Sequence, residues 1–126
     1  MSFREPLPPL CPPTDAKQQA YPAAYRLLET NPPPTNSFDS YNKLNKPPYD
    51  ADPCIRAACS LFRSKKEALT AIKLPGLKGH SFIAELDIPA GAGVSKCNDK
   101  NGHIRMWMYD TFDPISAIKK VEELSA

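Results

Sequence analysis

Residues 81–89, "SFIAELDIP", alternate cleanly: Phe82, Ala84, Leu86 and Ile88 fall on one side of an extended chain, Ser81, Ile83, Glu85 and Asp87 on the other. Successive side chains of a strand point to opposite faces, so the stretch predicts a half-buried β-strand, ended by Pro89. "HIRMWMYD", residues 103–110, repeats the pattern with Ile104, Met106 and Met108 as the apolar side. Its other side gathers His103, Arg105, Trp107 and Tyr109. "CIRAACSLF", residues 54–62, has the unbroken apolar character of a buried strand. "AAYRLLET", residues 23–30, is readable as two turns of helix or as a short strand.

After residue 62 the period changes. "SKKEALTAIKL" places Ala68, Ala71 and Ile72 on one helical stripe, and Ser64 followed three residues later by Glu67 is a capping box. The helix is predicted to stop at "PGLKG" (75–79). "AGAGVSKCNDKNG" (90–102) reads as a mobile glycine-rich connection. "PISAIKKVEEL" (114–124) reads as a closing helix with Asp113 as cap and proline at its first position, an extended tail being the alternative. These elements predict an α+β domain: a small, mostly antiparallel sheet with one or two helices packed on it.

Proline changes the picture for the first half. Of 15 prolines, 12 lie in residues 1–53. Residues 1–22 therefore read as a proline-rich extension, extended and loose, and residues 23–126 as the single domain. The long proline-rich loop at 31–53 interrupts that domain, and long loops in small domains tend to be functional or to fold over a site. Charge adds little. Residues 1–53 carry 5 basic and 6 acidic side chains, and residues 54–126 carry 11 and 8, for a net +2. That is no basic footprint for nucleic acid. No apolar run is long enough to span a bilayer or serve as an export signal, and the default compartment is the cytoplasm. In that setting Cys11, Cys54, Cys59 and Cys97 are expected as free thiols, and without paired ligand spacing no metal is expected.

The chemistry-bearing residues admit two readings. The His103–Arg105–Trp107–Tyr109 face suits an anionic aromatic ligand, with guanidinium to phosphate and ring to ring. It also suits a packed second layer, its side chains covering one another or covered by the proline-rich loop, and for Trp107 that is the favoured reading.

The order "AYRLLET", "CSLFRSKKEAL", "GHSFIAELDIPAGAG", "DPISAIKKV" resembles the compact ADP-ribosyltransferase-like proteins, among them RNA 2′-phosphotransferases and RES-domain NAD-degrading toxins. That resemblance implies NAD as cofactor. Arg26 would hold its phosphate or ribose, Ser60 would brace the nicotinamide pocket, and Glu85, or a group on the 103–109 strand, would act on the ribose or the developing oxocarbenium ion. His103, Arg105, Trp107 and Tyr109 would complete the cleft. The chain lacks the glycine-rich segment that RES domains carry and any Glu-x-Glu pair. A second likeness is to small bacterial proteins sharing a proline-rich start, a "YR" strand, a loop like "SFDSY" and a late His–Trp strand. Two functions follow. One is an NAD-cleaving or ADP-ribosyl-transferring toxin or effector, in which Arg26, Ser60 and the 103–109 face converge on one recess. The other is a non-catalytic interaction, immunity or regulatory module acting on a protein partner through the 31–53 loop and the aromatic strand.

Overall fold

Six strands form one antiparallel sheet in the computed structural model, which describes residues 2–73, 77 and 79–124. The strands are β1 (Tyr21–Leu28), β2 (Cys59–Phe62), β3 (Phe82–Ile88), β4 (Gly93–Cys97), β5 (His103–Met108) and β6 (Ile118–Glu123). They lie in the order β4-β5-β2-β1-β3-β6. Three short helices join them: α1 (Tyr41–Leu44), α2 (Pro53–Arg56) and α3 (Lys65–Ala71). The α+β architecture is the one the periodicities predict. No described helix is long and apolar enough to cross a membrane.

The sheet has two unlike faces. Ala24, Leu28, Cys59, Leu61, Ala84, Leu86, Ile88, Ile104, Met106 and Met108 form the main core with Phe38 from the proline-rich loop. Leu27, Phe62 and Ile83 line the opposite face, where α3 lays Ala68 against them. Helix α3 starts at the expected cap: Ser64 Oγ accepts from the Glu67 amide at 3.2 Å and donates to the Glu67 carboxylate at 2.8 Å. Its expected stop at Pro75–Gly76 lies outside the described residues.

Four expectations are corrected. Residues 54–62 are not one strand. Asp52 caps the Cys54 amide at 2.8 Å with Pro53 in the first turn, so Pro53–Arg56 winds into α2 before β2 begins at Cys59. The connection after Pro89 contains β4. Its alternation is hidden because the core-facing positions are Gly93, Ser95 and Cys97, and Ser95 is buried only because its hydroxyl meets Tyr21 Oη at 2.8 Å. The closing segment is a strand, the alternative reading. Asp113 holds a local turn, accepting from the Ile115 amide and the Ser116 hydroxyl, and β6 then pairs with β3. Ile118 and Val121 both reach the core although three residues apart, because a bulge sets Lys119 out of register between Leu86 and Glu85. A bulged strand and a helix face share that spacing.

The fourth correction concerns the lead-in, expected to lie loose. Arg4 N donates to Met108 O at 3.0 Å and Asp110 N to Ser2 O at 2.8 Å. Lys17 and Ser95 exchange a pair of backbone bonds at 2.8 and 3.0 Å. The segment runs along the β5–β4 end of the sheet and closes its outer edge.

Candidate functional site

Two of the four side chains on the His103–Tyr109 face, Trp107 and Tyr109, are buried. Trp107 is 2% exposed, and its indole Nε1 donates to the Cys54 carbonyl at 2.9 Å. Cys54 is in turn disulfide-bonded to Cys11, 43 residues earlier in the chain, with Cα atoms 5.5 Å apart. The tryptophan is thus the sheet's anchor for α2, and α2 is the anchor for the lead-in. The expectation of four free thiols holds only for Cys59, which is buried, and Cys97, which is half-buried. Tyr109 is covered as well. Phe3 packs beside it with ring centroids 5.2 Å apart, and Gln18 donates to its hydroxyl at 3.0 Å. The aromatic strand is a platform for the proline-rich segments.

At the crosslink the surface turns apolar. The large hydrophobic side chains that stand most exposed are Leu10 at 98%, Tyr49 at 62% and Ile55 at 43%. Leu10 adjoins Cys11, and Ile55 adjoins Cys54. The Tyr49 ring packs over the Arg56 guanidinium at 5.4 Å. Arg56 also donates to the carbonyls of Lys46 at 2.9 Å and Tyr41 at 3.4 Å, fixing the loop that carries Tyr49. Leu10 has φ +65°, a left-handed conformation that a bulky side chain disfavours by about 1–2 kcal/mol. The backbone therefore holds a large apolar side chain outward in a geometry it would not choose freely.

The residues expected to share one recess are divided. Arg26 lies on the main core face. Its guanidinium donates to Ser60 O at 2.6 Å and Ser37 O at 2.9 Å and sits 5.7 Å from the Phe38 ring centroid, while its Nε is buried without a partner. It is occupied in holding the loop at 37–38 to the sheet. Ser60, His103 and Arg105 do gather, on the α3 side, where Ser60 stands opposite Arg105 and Phe62 opposite His103. Phe62 and His103 stack with centroids 5.4 Å apart. Burial, aided by the neighbouring Arg105 and Arg26 charges, holds the His103 imidazole below its ordinary pKa. Arg105 forms no ion pair among the described residues. Glu85 stands apart, two strands beyond β2, accepting from Tyr25 Oη at 3.0 Å and from Lys119 Nζ at 3.2 Å. The Lys119 and Tyr25 hydrogen bonds keep its carboxyl below the usual range.

A cavity of about 20 Å³, room for one water, lies between the lead-in and the main core, lined by Phe3, Phe38, Cys59 and Met108 among others. An open polar groove of about 440 Å³ follows the β4 edge past Asp15, Lys17, Tyr21, Arg63, Lys96 and Cys97. Two of its three cations are matched, Lys96 with Asp15 at 2.9 Å and Arg63 with Asp99 at 3.3 Å and Glu67 at 3.1 Å, while Lys17 forms no ion pair among the described residues. Neither space is lined by Arg26, His103 or Arg105. Among the described residues no group of three or more His, Cys, Asp or Glu is placed to hold a metal ion.

The crosslinked corner was missed from sequence, although its signals were present. Cys11 and Cys54 each stand beside proline and next to an apolar residue, and an even cysteine count permits such a pairing. Comparison with protein-family models, with curated proteins and with solved structures finds no match to this chain.

Proposed function

We propose that the chain is a non-catalytic protein-interaction module, of the immunity or regulatory kind, that docks a partner protein through the corner formed by Leu10, Tyr49 and Ile55. The observation that carries this reading is the exposed Leu10, held in left-handed backbone directly beside a disulfide. Apolar side chains displayed on rigid, cross-linked loops bind at low entropic cost, because the loop is ordered before the partner arrives. The neighbouring Asp50 and Asp52 are exposed and favour a partner whose rim is basic. The expectation of free thiols rested on the cytoplasmic one, itself drawn from the lack of an export signal. The module works with its crosslink closed wherever disulfides persist.

The NAD-using reading draws less support. Its phosphate-binding candidate, Arg26, and its bracing candidate, Ser60, project from opposite faces of the sheet, and Glu85 is engaged by Lys119 and Tyr25.

Partner capture tests the proposal. The full chain and its Leu10→Gly and Ile55→Asp variants are immobilised and exposed to extract of the producing cells. A partner retained by the parent and lost by both variants, which keep the parent's melting temperature, supports docking at this corner. Equal capture by all three overturns it. In parallel, millimolar NAD or ADP-ribose is expected to leave the melting temperature unchanged. A rise of several degrees, abolished by Arg105→Ala, would return the enzyme reading to first place.

A further inference from the structure

The proline-rich lead-in is fastened by hydrogen bonds and ion pairs at its two ends and by neither in between. Upstream, Arg4 and Ser2 bond to the end of β5, Arg4 pairs with Asp39 at 3.4 Å, and Glu5 accepts from Ser40 and Asn42. Downstream, Asp15 pairs with Lys96, Lys17 with the backbone of Ser95, and Gln18 with Tyr109. Among the described residues, no hydrogen bond or ion pair joins residues 8–14 to the body. The Cys11 amide bonds only to Pro8 O, within the segment. Apart from the packing of the half-buried Pro8, Pro12 and Pro13, what ties this stretch down is the Cys11–Cys54 bond, and the Cys54 carbonyl in turn accepts from the Trp107 indole.

We infer that the Cys11–Cys54 bond is a redox latch for the docking corner: closed, it presents Leu10 beside Ile55, and opened, it frees residues 8–14 while the sheet stays folded. The inference rests on the reading of that corner as a docking surface. The reductant is a dithiol. One of its thiolates attacks a latch sulfur, giving a mixed disulfide and one cysteine thiolate. The second thiolate displaces the other cysteine, so the dithiol leaves as its own disulfide. Two electrons pass to the latch, and Cys11 and Cys54 each take up a proton. Leu10 is then free to leave its left-handed conformation, and the apolar surface is dispersed. The fasteners on either side survive, because none of them uses a sulfur.

Backbone amide NMR relaxation tests the latch on the full chain, with dithiothreitol as the reductant. Expected is a fall in the order parameters of the Leu10, Cys11 and Thr14 amides from about 0.85 to below about 0.6, with β1 to β6 unchanged and altered emission from Trp107, the chain's single tryptophan. The Cys11→Ser variant should show the same pattern without reductant, and partner capture should fall at least tenfold in both. Unchanged order parameters at Leu10, Cys11 and Thr14 overturn the latch, as does a fall shared equally by the sheet. Failure of the docking reading is separable: the Leu10→Gly variant would then capture like the parent, while the relaxation pattern still decides whether the latch exists.

Discussion

Trp107 shows how one side chain can decide what a face is for. A ring with a donor at its edge needs a hydrogen-bond partner when buried, and the carbonyl of Cys54 supplies it. Trp107→Phe keeps most of the packing and removes that bond, so a loss of about 1–2 kcal/mol in urea unfolding is expected, with faster exchange around Cys54. His103 gives a pH signature. Its folded pKa lies below the ordinary 6.5, so the unfolded chain takes up a proton first as pH falls. This contribution is fully present above about pH 6.5 and is lost as the pH drops toward the folded pKa. His80, also held low by burial, adds a slope of the same sign. His103→Gln should flatten stability against pH between about 7 and 5, leaving the His80 part, when denaturation is followed at half-unit steps.

The elements the sequence made legible are those whose local chemistry and tertiary role agree. β3 and β5 alternate strictly, and α3 carries its own cap. Ser64→Ala should cost about 1 kcal/mol in chemical denaturation, the usual worth of such a cap. Elements that were misread carry an exception at the position that mattered. β4 hides behind Gly93 and Ser95 on its buried side. Gly93 is required there: a Cβ would press on the Trp107 carbonyl and come within 2.9 Å of Met108 Cα, so Gly93→Ala should destabilise by about 1–3 kcal/mol in thermal melts. β6 mimics a helix because of its bulge, and β1 has the same device between Tyr21 and Ala24. Of the candidate site, Trp107 as a covered second layer was readable from alternation. The opposite orientations of Arg26 and Ser60 follow from the register of β1 against β2, which no local pattern encodes.

At the scale of the whole molecule, a small sheet is finished by its own irregular chain. The lead-in, the proline-rich loop and the 110–117 turn supply what helices do in other α+β domains. The crosslink between the first two closes a loop of 43 residues, for which chain entropy gives about 4 kcal/mol of stabilisation. Reduction should lower unfolding stability by up to that amount in guanidinium titrations while the folded baseline is kept. The two flanks of the sheet are finished differently. Beyond β4 the backbone of Lys17 occupies the border, whereas β6 has no further strand among the described residues. Its border instead bears Lys119, Lys120, Glu122 and Glu123 and the kink at Lys119. Open borders of this kind recruit identical chains into fibres unless charge and irregularity repel them. Stripping that protection, as in a Lys119→Val/Lys120→Val variant, should turn a dispersed solution into one that scatters light and polymerises.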